Sequence, residues 1–157
     1  MSFDLSVIPN KNIILGVTGG IAAYKSAILV RRLKDAGFNV RVVMTEGAQA
    51  FITPLTFQAL SGNPVHTQLL DPEAEAGMGH IELARWADLL LVAPASCDTL
   101  AKFAAGLADD LLSTLYLATK APVWVAPAMN QQMWAAKATQ RNLNTLVEDG
   151  VHVILPD

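Results

Sequence analysis

The chain has 157 residues, the size of one ordinary domain. It carries 11 basic and 14 acidic residues, a formal net charge of −3, which argues against nucleic acid and its demand for a clustered basic surface. Hydrophobic residues make up 52% and charged ones only 16%, against about 25% charged in an average soluble domain. Part of the apolar surface is therefore expected to face other subunits.

Strand-like and helix-like blocks alternate from the start. Asn12–Val17 is an apolar run that ends in Thr18-Gly19-Gly20, a strand entering a tight turn. Over residues 21–36, Ile21, Tyr24, Ile28, Leu29 and Leu33 fall close to one helical face, and Gly37 stops the helix. Asn39–Met44 is a second strand, followed by Thr45. Thr53-Pro54 gives an N-cap and a proline at the first helical position, and that helix runs to about Leu60 with Gly62 closing it. Residues 62–79 have no clear period, being punctuated by Pro64, Pro72, Gly77 and Gly79, and read as loop with one short strand near Val65.

Residues 89–93 are continuously apolar, as expected of a strand covered on both faces. Residues 99–105 and 109–118 read as helices, the second capped by Asp109 or Asp110. Residues 123–126 form another buried strand, residues 131–149 a helix stopped by Gly150, and residues 151–155 a last strand. The expected fold is a single α/β domain of Rossmann/flavodoxin-like type, three layers with a mainly parallel sheet of about six strands.

No run approaches the roughly 20 apolar residues of a membrane span, and residues 1–10 carry Asp4 with no basic stretch of the signal-peptide kind. The single cysteine, Cys97, forms no intrachain disulfide, so a reducing, cytoplasmic setting is expected. His66, His80 and His152 lie far apart, and no metal site is expected.

In a parallel sheet, ligands sit at the carboxyl ends of the strands, near the switch in strand order. That rule selects residues 18–22, 44–47, 94–99 and 127–130. Gly19-Gly20 lets backbone approach an anion at a helix start, or forms a plain turn; it is neither G-x-G-x-x-G nor a P-loop. Thr45 offers a hydroxyl to a phosphate, Glu46 a carboxylate to a ribose, and both also suit turn chemistry. Ser96, Asp98 and Thr99 supply an N-cap and polar groups for the edge of a flat heterocycle. Cys97 is a small hydrophobe rather than a nucleophile. His80, beside Gly77 and Gly79, is a candidate acid/base. Asn130 is a helix cap, an amide donor to a carboxylate, or both.

Taken together, these turns resemble the homo-oligomeric flavin-containing cysteine decarboxylases. The residues that carry the resemblance are Gly19-Gly20-Ile21-Ala22-Ala23-Tyr24-Lys25, His80-Ile81-Glu82-Leu83 with Trp86-Ala87-Asp88, and Pro127-Ala128-Met129-Asn130. It runs from about Lys11 to Asp157. Residues 52–55 and 71–76 look like the branch that acts on phosphopantothenoylcysteine in coenzyme A biosynthesis. Pro94-Ala95-Ser96-Cys97-Asp98-Thr99 stands where the family has its PASANT motif, with the centre changed.

The resemblance implies FMN held by Gly19, Gly20, Ile21, Ala22, Thr45, Phe51, Ala95, Ser96, Thr99 and Met129. It implies His80 as the acid/base near the substrate thiol and Asn130 as the holder of the substrate carboxylate. The implied reaction oxidises the cysteinyl thiol to a thioaldehyde, releases CO2 and reduces the resulting ene-thiol, giving 4'-phosphopantetheine. Also implied are a homotrimer or dodecamer with FMN between subunits, and a phosphopantothenoylcysteine synthetase, fused or separate. The family's catalytic cysteine sits on a clamp downstream of the last strand read here. The expectation is thus one flavoprotein domain over residues 1–157, truncated before that clamp, with Cys97 wrongly placed to replace it. The rivals are a lantibiotic-type peptidyl-cysteine decarboxylase, a flavin prenyltransferase, and a non-catalytic regulatory subunit of the same fold.

Overall fold

The computed structural model describes Ser6, residues 12–69 and residues 78–155. The readings of residues 1–10 as lacking a signal peptide and of residues 71–76 as branch-specific fall outside the described residues. In chain order the elements are β1 (Asn12–Val17), α1 (Ala23–Asp35), β2 (Asn39–Met44), a 3-10 turn (Gly47–Ala50) and α2 (Pro54–Ser61). There follow α3 (His80–Trp86), β3 (Leu89–Ala95), α4 (Cys97–Ala105), α5 (Leu111–Ala118), β4 (Val123–Pro127), α6 (Gln131–Ala135), α7 (Lys137–Glu148) and β5 (His152–Val153).

All strand pairs are parallel, and the order is β2-β1-β3-β4-β5. This is the flavodoxin-like order, whose direction reverses between β1 and β3. Among the described residues the sheet has five strands, close to the six expected. The expected strand near Val65 is reduced to an isolated parallel bridge between Val43 and His66. His66 N donates to Val42 O and Met44 N to His66 O, and no neighbouring residue extends the ladder. β5 is shorter than residues 151–155, pairing only Trp124 with His152 and Val125 with Val153.

The two-residue side-chain period splits the central strands between two cores. Ile13, Leu15, Leu89 and Leu91 join Val30 and Leu33 of α1 and Phe57 of α2 on one face. On the other face, Ile14, Leu90 and Val92 join Leu83 of α3, Leu100 and Phe103 of α4, Leu112 and Leu115 of α5, and Leu143 and Leu146 of α7. Gly16 makes room for this second layer: a Cβ there would lie 2.7 Å from Leu112 Cδ1.

Helix ends follow the local signals. Gly37 N bonds to Lys34 O and Phe38 N to Leu33 O, closing α1. Asp110, not Asp109, caps α5, its Oδ1 accepting Ser113 N at 2.8 Å. The expected helix over 99–105 starts earlier, at Cys97, because Ser96 Oγ accepts Thr99 N at 3.2 Å. The expected single helix over 131–149 is two. Ala136 is extended (φ −57°, ψ 137°), and Gln140 Nε2 takes the freed Trp134 O at 2.6 Å.

The apolar face expected for α1 is only partly a core face. Its buried residues are Ala23, Ser26, Val30 and Leu33. Ile21, at the approach to the helix, is 81% exposed, and Tyr24 and Ile28 are also exposed, as are Phe51 and Leu55 on the adjoining segment.

Candidate active site

At the reversal between β1 and β3, a cavity of about 670 Å3 opens at the carboxyl ends of the strands. Open sheets of this order bind ligands at that position, and the volume lies within the ~300–1,000 Å3 of small-molecule sites. Gly19, Thr45, Ser96 and Thr99 line it, as the sequence suggested.

Each wall has a local cause. Backbone–backbone approach requires Gly19, since a Cβ there would lie 3.2 Å from the Gly47 carbonyl carbon. Gly20 follows with φ 153° and no heavy atom within 4 Å of its would-be Cβ, so this turn is open on its outer side. Thr45 N donates to Val17 O, and Thr45 Oγ1 accepts Ala48 N at 3.3 Å, which closes the 3-10 turn over the cavity. Ser96 caps α4 and shares its hydroxyl with Thr99 Oγ1 at 3.1 Å. A register shift between Val92 and Ala95 of β3 precedes this turn.

Other expected ligand residues stand outside the lining. Ala95 is fully buried under the turn, and Met129 packs half-buried against the larger core. Gly20, Ile21, Ala22 and Phe51 do not line the cavity, and the last three sit on or beside the exposed apolar side of α1. His80 is the first residue of α3, a helix that the sequence reading did not identify. Its Nδ1 is buried and has no hydrogen bond among the described residues. Asn130 N-caps α6, with Oδ1 accepting Met133 N at 2.9 Å, so its amide NH2 faces outward from that bond. His80 opens the helix that precedes β3 and Asn130 stands in the turn after β4, and neither lines the cavity. Cys97 Sγ sits 3.5 Å from Thr139 Oγ1 and also lies off the lining.

Sequence reasoning missed a charged cluster on the cavity rim. Lys102 Nζ lies 3.5 Å from Asp98, 3.4 Å from Asp109 and 3.6 Å from Asp110. Only the Asp98–Lys102 pair, four apart on a helix, carried a sequence signal. The others arise because the loop after Gly106 folds α5 back on α4. Burial pulls the Lys102 ammonium down, but Asp110, Asp98 and Asp109 together raise it above its ordinary value. Burial, and then Asp149, raise the Tyr116 phenol. Both groups bind their proton more tightly in the folded chain. Their stabilisation is present below the unfolded values of 10.5 and 10.0 and is lost as pH rises through the folded ones. Denaturation followed from pH 9 to 12 should show stability falling above about 10. Lys102→Met should make that fall shallower, and an unchanged slope would contradict the assignment.

Among the described residues there is no cluster of metal-ligating side chains, and no helix is long and apolar enough to cross a membrane.

Comparison with known proteins places this geometry. The family model described as Flavoprotein matches residues 4–157. The coenzyme A biosynthesis bifunctional protein CoaBC of Escherichia coli (strain K12) is 61% identical over 150 residues, covering 96% of this chain and 37% of that protein. CoaBC of Bacillus subtilis (strain 168) is 47% identical over the same share of each. The chain thus spans little more than a third of the length of these relatives. Among solved structures, the FMN-dependent cysteine decarboxylase SpaF superposes with a TM-score of 0.88 at 35% identity, over 96% of this chain and 87% of that one. A PPC decarboxylase mutant complexed with pantothenoylaminoethenethiol gives 0.77 at 34% identity, over 94% and 82%.

Proposed function

The chain belongs to the Flavoprotein family, and on that premise we propose that it binds FMN and decarboxylates 4'-phosphopantothenoylcysteine to 4'-phosphopantetheine. The observation that carries this reading is the cavity at the β1/β3 reversal, walled by Gly19, Thr45, Ser96 and Thr99. Its volume suits a mononucleotide, its hydroxyls suit a phosphate and a polyol, and a side chain at Gly19 would crowd the Gly47 backbone. The likeness to CoaBC at 61% identity supports this substrate.

Bound FMN supplies a two-electron acceptor and donor for the substrate's cysteinyl end. His80 Nε2 takes the thiol proton as electrons leave, and Asn130 Nδ2 donates to the substrate carboxylate and orients it until CO2 departs.

Assembly belongs to the same reading. Ile21, Tyr24, Ile28, Phe51 and Leu55 form an exposed apolar side next to the cavity turns, more than scattered surface residues require. A second copy covering it would bring Ile21, Ala22 and Phe51 against the cofactor, as a trimer or a dodecamer built from trimers. A fused or separate phosphopantothenoylcysteine synthetase and a cytoplasmic location complete the proposal.

The test is anaerobic. The purified chain should release FMN on denaturation, bleach on addition of phosphopantothenoylcysteine and liberate CO2. A colourless protein that fails to take up FMN would sink the flavin reading. The close superposition on the FMN-dependent cysteine decarboxylase SpaF keeps a second reading, a peptide with a C-terminal cysteine in place of phosphopantothenoylcysteine. Bleaching by such a peptide, and none by phosphopantothenoylcysteine, would select it.

A further inference from the structure

Building on the FMN reading above, we infer that Thr18 is a positioning residue that fixes the spacing of the two turns forming the cofactor cavity. Thr18 follows the last residue of β1 and is fully buried. Its Oγ1 donates to Pro94 O at 2.7 Å and accepts Ser96 N at 2.8 Å, and its own N donates to Pro94 O at 3.3 Å. A single hydroxyl therefore uses its proton and a lone pair on one turn of β3, two residues apart.

Both neighbours of that hydroxyl lead directly to the cavity. Gly19, covalently next, lines it and abuts Gly47. Ser96, whose amide Thr18 accepts, also lines it and caps α4 through its Oγ. Thr18 does not line the cavity. It acts through Gly19 and Ser96, holding the wall after β1 against the wall after β3.

Ser26 provides the internal contrast. It too is buried, and its Oγ donates to Ala93 O at 2.7 Å, on the same strand end. It makes one bond rather than two, from near the start of α1, and its partner Ala93 does not line the cavity. If buried hydroxyls here served stability alone, losing either would have the same kind of effect.

The experiment measures the FMN dissociation constant by fluorescence quenching, and the thermal midpoint of the apoprotein, for the full chain and its variants. Thr18→Val keeps the shape but leaves the part-buried Ser96 N–H without its protein partner. FMN should bind at least tenfold more weakly to Thr18→Val, and within threefold of the parent to Thr18→Ser. Ser26→Ala should lower the thermal midpoint while leaving FMN affinity within threefold. Thr18→Ala gives the same contrast if the valine variant does not fold. Parent-like affinity in Thr18→Val, or equal weakening in Thr18→Val and Ser26→Ala, would overturn the inference alone. Failure of the unsubstituted chain to bind FMN would overturn the flavin reading, and this inference with it.

Discussion

His80→Asn is expected to abolish bleaching of the bound flavin by substrate, lowering its rate by about a thousandfold, within the 10²–10⁴ typical of a lost general acid–base. The expectation follows from the placement of the ring. His80 opens α3, whose N-cap Gly79 leads in from the loop, and its buried Nδ1 has no hydrogen bond. In the proposed reaction the proton is exchanged through Nε2, an atom that asparagine lacks. The backbone has little reason to change, because among the described residues the His80 Nδ1 makes no hydrogen bond that holds the helix in place. FMN affinity should therefore stay within about threefold, since His80 does not line the cavity. Stopped-flow absorbance under anaerobic conditions reads the rate, and FMN titration reads the affinity. Parent-like bleaching would remove His80 from the chemistry.

The sequence made the scaffold legible wherever the signal was local. The apolar run Asn12–Val17 became the second strand of the sheet, and Thr53-Pro54 and Gly62 bounded α2 as their backbone preferences require. Ser96 announced both a helix start and a cavity wall, since its capping bond and its position after β3 have one origin. The failures share a different cause. Nothing among residues 131–149 resembles a breaker, yet the helix divides at Ala136, where Trp134 packs half-buried against the core and Gln140 accommodates the break. That choice is tertiary. The periodicity of Ile21, Tyr24 and Ile28 was real, but these residues are exposed. Small residues, Ala23 and Ser26, face the sheet instead. The Lys102 cluster joins α4 to the loop before α5 and had no contiguous signature.

Asn130→Asp separates the two roles of Asn130. In the native chain the side-chain oxygen accepts Met133 N at 2.9 Å, which fixes the amide so that its NH2 is the free end. Aspartate makes the same cap about equally well, so the thermal midpoint should move little. The other oxygen then stands where the donor stood. It offers a negative charge to the substrate carboxylate in place of a hydrogen bond. A hydrogen bond to a charged group contributes about 1.5–3 kcal/mol, roughly ten- to a hundredfold in rate. The added repulsion should take the loss in kcat/KM for phosphopantothenoylcysteine to about a thousandfold at effective dielectrics near 20. Asn130→Ser keeps a capping oxygen and adds no charge, so it should lose only the smaller amount. FMN should bind both variants like the parent, because Asn130 stands off the cavity lining. A ranking of parent, serine, then aspartate, with unchanged stability and cofactor affinity, is what a substrate-holding amide requires. Equal activity in all three would leave Asn130 as a helix cap and nothing more.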